Sequence, residues 1–285
     1  MAQVAPALRF GTARLATGPR LHYAERGDGN APPVLLLHRW PDSWFSYSRV
    51  LDHLPPRYRA LAIDQRGFGD SERPDSGYAI EDLASDAVAF LDALRIGRAT
   101  VVGHSMGSFV ARRVAEVHPE RVARLVLIGS GWSGSNPVTR EVQASLRDLP
   151  DPVPRDFARQ FQASTVHAPV PPEFFERIVE ESLKLPRRLW RAVLDGILAF
   201  EDTERLARIG APTLILWGER DGLFPREDQD RLAASIPGAR LTVYPETGHC
   251  PNWERPEKVA ADLDTFMQGA LTAADAAHAR RMGRC

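Results

Sequence analysis

Short, nearly uninterrupted apolar runs alternate along the chain with longer stretches in which apolar residues recur every three or four positions. Runs of the first kind at 20–25, 33–38, 58–63, 98–103, 123–129, 212–217 and 240–244 predict buried strands. Between them, Leu83, Ala87, Leu91 and Leu94 share one helical face in 80–95. Met106, Val110, Val114 and Val117 share another before His118-Pro119, and Val259, Leu263 and Phe266 a third in 255–269. This alternation predicts an α/β fold with a mostly parallel sheet covered by helices on both faces. Between Trp132 and about Arg208 it stops, and helical patterning is broken by prolines at 137, 150, 152, 154, 169, 171, 172 and 186. The expected organisation is a core over 1–131 and 209–270, a helical cap over 132–208, and a tail over 271–285 that is either a helix extension or a frayed end.

Parallel strands bring their carboxyl ends to one edge, where open α/β sheets bind ligands. His38, Asp64, Ser105, Asp221 and His249 all fall on that edge. The sharpest signal there is Gly103-His104-Ser105-Met106-Gly107, entered from an apolar strand and left through a helical pattern. A serine hydroxyl is a weak nucleophile, so it must stand clear of the backbone where a base reaches it. Gly103 and Gly107 let strand and helix approach, and Ser105 is expected in a strained conformation held by its neighbours. A Gly-x-Ser-x-Gly in isolation also arises as a structural turn; the strand before it and the helix after it favour the nucleophile elbow.

A serine nucleophile needs a base, an acid to orient that base, and donors for the oxyanion. His249 is the candidate base, on a Gly-containing loop between a short strand and the last helix. His22, His53, His118, His167 and His278 lie in segments that read as surface strand, helix ends, cap or tail, where solvated roles fit them better. His104 and His38 flank the site and read as structural hydrogen-bonding groups. Asp221 is the candidate acid, in a turn after a buried strand, with Glu219 as its rival; the order Ser, Asp, His suits this type of elbow. Glu246 is too near His249 in sequence to be a comfortable partner. The oxyanion donors are assigned to the N–H groups of Met106 and, in the loop His38-Arg39-Trp40-Pro41, of Trp40. An aromatic residue before proline also allows a cis bond there. His38, Arg39, Trp132 and Phe200 are the candidate pocket residues, the last two for their closeness to the cap's junctions.

With these motifs, and with Asp64-Gln65-Arg66-Gly67-Phe68-Gly69-Asp70-Ser71, Gly218-Glu219-Arg220-Asp221 and Gly248-His249, the chain resembles α/β-hydrolase-fold enzymes over residues 8 to 270. The resemblance lies toward the esterase, epoxide hydrolase and haloalkane dehalogenase superfamily. It implies the α/β-hydrolase fold with the cap inserted after the sixth strand. In the epoxide hydrolase and dehalogenase branches the elbow nucleophile is an aspartate, so Ser105 points to hydrolysis of carboxylic esters or lactones through an acyl-enzyme. Family members usually carry glycine where this chain has Arg39. Two readings of Arg39 follow: it strains the oxyanion loop if the position needs φ > 0, or it adopts an allowed conformation and points to solvent. Alternatives to an esterase are an amidase, acyltransferase, perhydrolase or lyase with the same triad, and a hydrolase-like ligand-binding receptor with slow turnover.

Composition narrows the partners. The chain has 285 residues, 44% of them hydrophobic, and a formal net charge of -1 with interspersed signs, which argues against nucleic acid or a strongly anionic surface. Its two cysteines, Cys250 and Cys285, make no disulfide framework and suit a reducing compartment. Met1 to Phe10 lacks a basic start followed by a long apolar segment, and no apolar run approaches the about 20 residues that span a bilayer. A cytoplasmic protein acting on a small-molecule ester or lactone is expected, with no nucleic-acid or membrane partner. No metal-ligand cluster or phosphate loop stands out, and Gly67-x-Gly69 lacks the third glycine of a dinucleotide fingerprint, so neither metal nor cofactor is expected.

Overall fold

The computed structural model describes residues 7–269; the predicted tail over 271–285, with His278 and Cys285, lies outside them. Eight strands form one sheet: β1 (Arg9–Arg14), β2 (Arg20–Arg26), β3 (Pro33–Leu37), β4 (Arg59–Ile63), β5 (Ala99–His104), β6 (Val122–Ile128), β7 (Thr213–Gly218) and β8 (Arg240–Tyr244). Their order is β1-β2-β4-β3-β5-β6-β7-β8, antiparallel at β1/β2 and β2/β4 and parallel elsewhere. The helices are α1 (Ser48–His53), α2 (Ile80–Ala93), α3 (Met106–Val117), α4 (Pro137–Ser145), α5 (Arg155–Ala163), α6 (Pro172–Leu183), α7 (Arg187–Ala199), α8 (Arg226–Ser235), α9 (Pro251–Glu254) and α10 (Pro256–Gln268). The seven predicted strands are found within two residues of their expected ends. β1 is an addition: it is polar and largely exposed, and only its ladder with β2 makes it a strand.

The parallel strands are apolar throughout because both faces are covered. Leu35, Leu37, Val101, Leu125, Leu127 and Ile215 pack under α2, α3 and α8. Their neighbours Val34, Leu36, Val102, Val126, Leu214 and Leu216 pack under α1 and α10. From β3 the chain turns to β4 on one side and, after it, to β5 on the other, so the sheet order reverses beside β3. The crevice at the carboxyl ends of β3 and β5 is the site this topology provides.

Helices α4 to α7 leave the sheet after β6 and return before β7. One buried side chain fastens both junctions. Arg112, on α3, donates from Nη1 to the Gly131 carbonyl at 2.6 Å where the cap departs. Its Nε donates to Asp202 Oδ2 at 2.7 Å where the cap returns. Beside this pair, Glu116 Oε2 accepts from Arg113 Nη1 at 2.9 Å. Burial and the Asp202 carboxylate push the Glu116 carboxyl up from 4.5 to about 8. Glu116 therefore holds its proton more tightly folded than unfolded, and its contribution is fully present below about pH 4.5 and lost as pH rises toward 8. In Glu116→Gln the unfolding free energy is expected to fall less steeply between pH 5 and 8, by at least ~1 kcal/mol across the window. Urea unfolding at both pH values checks this, and parallel slopes for the two proteins would refute it. Among the described residues no helix is long and apolar enough to cross a membrane.

Candidate active site

β5 runs into a turn at Ser105, where φ is 51° and ψ is -117°, a conformation that side chains rarely adopt. Neighbours hold it there. The Ser105 N–H donates to the Ile128 carbonyl at 2.9 Å, and Ser108 Oγ donates to the Ser105 carbonyl at 2.5 Å. Of the described residues with side chains, only Arg95, Ser105 and Glu246 have positive φ. Arg39 is not among them, so the backbone-strain reading of this residue is overturned. The solvent-pointing reading fails as well, because Arg39 is 1% exposed.

His249 sits in the loop after β8 and donates from Nδ1 to Asp221 Oδ2 at 2.9 Å; both side chains are buried. Asp221 Oδ1 accepts from the Leu223 and Phe224 N–H groups at 2.8 and 3.1 Å, which fixes the carboxylate's plane. Glu219, the rival acid, instead meets the backbone N–H of Glu246. The other ring nitrogen, His249 Nε2, is buried without a partner among the described residues, and His249 lines a cavity together with Ser105, Arg39 and Trp40. Met106 is the first residue of α3, so its N–H has no intrahelical acceptor and faces the helix entrance. The Trp40–Pro41 bond is cis.

Around this core lie groups that hold it. His104 Nε2 donates to the His249 carbonyl at 2.9 Å, and burial keeps its imidazole neutral, far below its ordinary pKa. His38 accepts at Nε2 from the Gln65 N–H and donates from Nδ1 to the Arg39 carbonyl, its pKa lowered to about 4 by burial. Both histidines are thus hydrogen-bonding struts. Cys250 is buried beside His249, and burial pushes its thiol up to about 12, so it packs as a neutral group. His22, Asp64 and Asp70 bring potential metal-ligating atoms within 4.8 Å of one another. Asp64 is already committed to His22 Nδ1 and to the Trp44 and Asp70 N–H groups, and Asp70 to Lys184. This cluster fixes the loop after β4.

The sequence profile described as "alpha/beta hydrolase fold" matches residues 32–256. The chain belongs to this family. As a whole-length comparison, the hydrolase is 32% identical to a 2-hydroxy-6-oxononadienedioate/2-hydroxy-6-oxononatrienedioate hydrolase of Burkholderia vietnamiensis, covering 84% of this chain and 88% of that one. It is 31% identical to a 2-hydroxymuconate semialdehyde hydrolase of a Pseudomonas species, covering 91% and 94%. Among solved structures it superposes on an esterase from Exiguobacterium antarcticum with a TM-score of 0.82 at 22% identity, over 90% of this chain and 99% of that one, a likeness of fold.

The cavity wall of the hydrolase corrects three of the four pocket expectations. His38 faces Gln65 and Phe68 and is not in the wall. Trp132 lies against Arg231 and Asp228, at the cap's departure. Phe200 packs behind Phe109 and under Arg113. The apolar wall is built instead from Phe109, Phe161, Leu194, Ile197, Leu223 and Phe224, with Arg39 as expected. Residues at a cap junction serve the hinge; those inside the cap helices reach over Ser105. Sequence reading also missed Glu254, which accepts from the Gly248 N–H and from the cap's His167 and Ala168 N–H groups. With the His249 N–H donating to the Thr165 carbonyl at 2.9 Å, these bonds clamp the cap to the histidine loop. The sole cue was a carboxylate three residues into a polar, proline-started turn, which reads as an exposed helix end.

Proposed function

We propose that this hydrolase cleaves carboxylic esters or lactones of small to medium apolar substrates through an acyl-enzyme on Ser105. One arrangement carries the reading: Ser105 and an Asp221-oriented His249, whose Nε2 has no partner among the described residues, line a single cavity with mostly apolar walls. His249 takes the Ser105 proton as Oγ attacks the carbonyl carbon, while Asp221 stabilises the imidazolium. The Met106 and Trp40 N–H groups receive the oxyanion. Collapse expels the alcohol with the proton from His249; water, deprotonated by the same base, then releases the acid and restores Ser105.

A second reading is favoured by the relatives at 31–32% identity. Their names describe an oxo group in one case and an aldehyde in the other, each with carboxylate groups and no ester, so hydrolysis of such a substrate breaks a carbon–carbon bond. The same serine, base and oxyanion donors would serve a ketone or aldehyde carbonyl. The experiment that separates the two is a p-nitrophenyl ester series from acetate to octanoate beside a 2-hydroxy-6-oxo-dienoate. Sustained ester turnover with an acyl adduct on Ser105 by mass spectrometry is the expected result. Ester rates no higher than buffer, with turnover of the dienoate, would replace the esterase reading with carbon–carbon hydrolysis.

A further inference from the structure

The cap segment from Phe161 to Thr165, at the end of α5, touches both halves of the proposed catalytic machinery. On one side it meets the oxyanion loop. Arg39, fully buried, donates from Nη1 to Thr165 Oγ1 at 2.8 Å and to Cys250 Sγ at 2.9 Å, and from Nε to the Trp40 carbonyl at 3.2 Å. Its guanidinium lies between the rings of Phe161 and Trp253, with centroids 5.6 and 5.0 Å away, and Asp42 Oδ2 stands 3.6 Å from Nε as counter-ion. Asp42 is itself tied to the segment, accepting at Oδ1 from Gln162 Nε2 at 2.8 Å. The Trp40 N–H belongs to the peptide whose carbonyl, that of Arg39, accepts from His38 Nδ1 at 2.7 Å and from the Asp42 N–H at 3.1 Å. Both peptide planes that flank Trp40 are therefore fixed, the first by His38 and the loop's own backbone, the second by the Arg39 side chain. On the other side the segment meets the histidine loop, where the Thr165 carbonyl accepts from the His249 N–H at 2.9 Å. Thr165 Oγ1 also donates to the Gln162 carbonyl at 2.8 Å, which pins the residue to the end of α5. Phe161, one turn earlier, lines the same cavity as Ser105 and His249.

We propose that Arg39 and Thr165 are positioning residues that act as one unit, seating the oxyanion loop and the histidine loop against the same cap segment, so that both loops are in place only when that segment is. The planar fork of a guanidinium reaches Thr165, Cys250 and the Trp40 carbonyl at once. A glycine at position 39 could make none of these contacts. Neither residue needs to touch the substrate. Their effect falls on the transition state, because a displaced oxyanion donor and a displaced base weaken attack on the carbonyl far more than they weaken binding in an apolar cavity. The inference rests on the serine hydrolase reading for what the two loops do, whereas their shared attachment is tested without turnover.

Thr165→Val keeps the branched side chain and the carbonyl that meets His249 while removing the hydroxyl that accepts from Arg39. It is expected to lower kcat for p-nitrophenyl butyrate at least tenfold with KM within twofold of wild type. Thr165→Ser, which keeps the hydroxyl, should retain at least half of the wild-type kcat. Arg39→Met should lose about as much as Thr165→Val, and the double variant no more than the larger single loss. Losses that multiply, or a raised KM with unchanged kcat, would overturn the unit. Hydrogen exchange read by mass spectrometry on the same proteins supplies the second arm. Thr165→Val should speed exchange at least fivefold in peptides covering 39–42 and in those covering 247–250. Acceleration in only one of these loops, or in neither, overturns the shared attachment. Thr165→Val carries both readouts alone if Arg39→Met does not fold. A wild type without ester turnover counts against the esterase reading only, and exchange then decides the attachment.

Discussion

Ser105→Ala is expected to lower kcat for p-nitrophenyl ester hydrolysis by a factor of about 10⁴ to 10⁶, with little change in stability. The size follows from what remains. Without Oγ no acyl-enzyme forms, and only cavity binding and the proposed oxyanion donors, the Met106 and Trp40 N–H groups, favour attack of a water molecule on the carbonyl. Asp221→Asn should cost about 10⁴ for a different reason. The amide still reaches His249 Nδ1, and it can hold the ring in the wrong tautomer while no longer stabilising the imidazolium. Stopped assays over hours, with active-site titration of the wild type, give the needed range. A Ser105→Ala protein within tenfold of wild type would assign the hydrolysis to another nucleophile.

The reach of sequence reasoning differs between these residues for physical reasons. Ser105, Asp221 and His249 were legible because each follows the end of a strand, buried throughout for β5 and β7 and partly buried for β8, and strand ends announce themselves by apolar runs stopping at Gly or at charged turns. The sheet itself was legible for the same reason, apart from β1, whose Arg9, Thr12 and Arg14 face solvent and whose strand character comes only from pairing with β2. The cavity wall was not legible. Trp132 and Phe200 are suggested by their closeness to the cap's junctions. Which face of a cap helix turns toward Ser105 depends on how α4, α5 and α7 pack on one another, and the wall came from Val142, Phe161, Leu194 and Ile197. Arg39 shows the limit most sharply. A charged residue in a loop is ordinarily solvated; its burial is set by Thr165, Phe161, Cys250 and Trp253, all far from it in sequence. Glu254 was missed in the same way, since its partners from the cap are backbone N–H groups of a loop more than 80 positions earlier, Ala168 being 86 residues away.

Gly107→Ala is expected to be among the most damaging single-methyl changes in the core. A Cβ at position 107 would stand 2.1 Å from the Leu37 carbonyl oxygen and 2.8 Å from that of His38. Both obstacles are backbone, and Leu37 ends a strand held between β4 and β5, so no side chain can rotate away to make room. Either α3 lifts from β3 or the chain after β3 shifts. The first breaks packing of Phe109, Val110 and Val114 in the core, and a loss above about 4 kcal/mol is expected, or a fall in Tm of roughly 10 °C or more for a chain of this size. The second moves His38 to Trp40, and with them the proposed oxyanion N–H, which typically costs about 10² to 10³ in rate. Thermal melting with activity per folded molecule separates the two responses: a low Tm with normal specific activity means that α3 moved, and a preserved Tm with depressed kcat means that the oxyanion loop moved. A variant unchanged in both would show that the close approach of α3 to β3 is not what shapes the elbow.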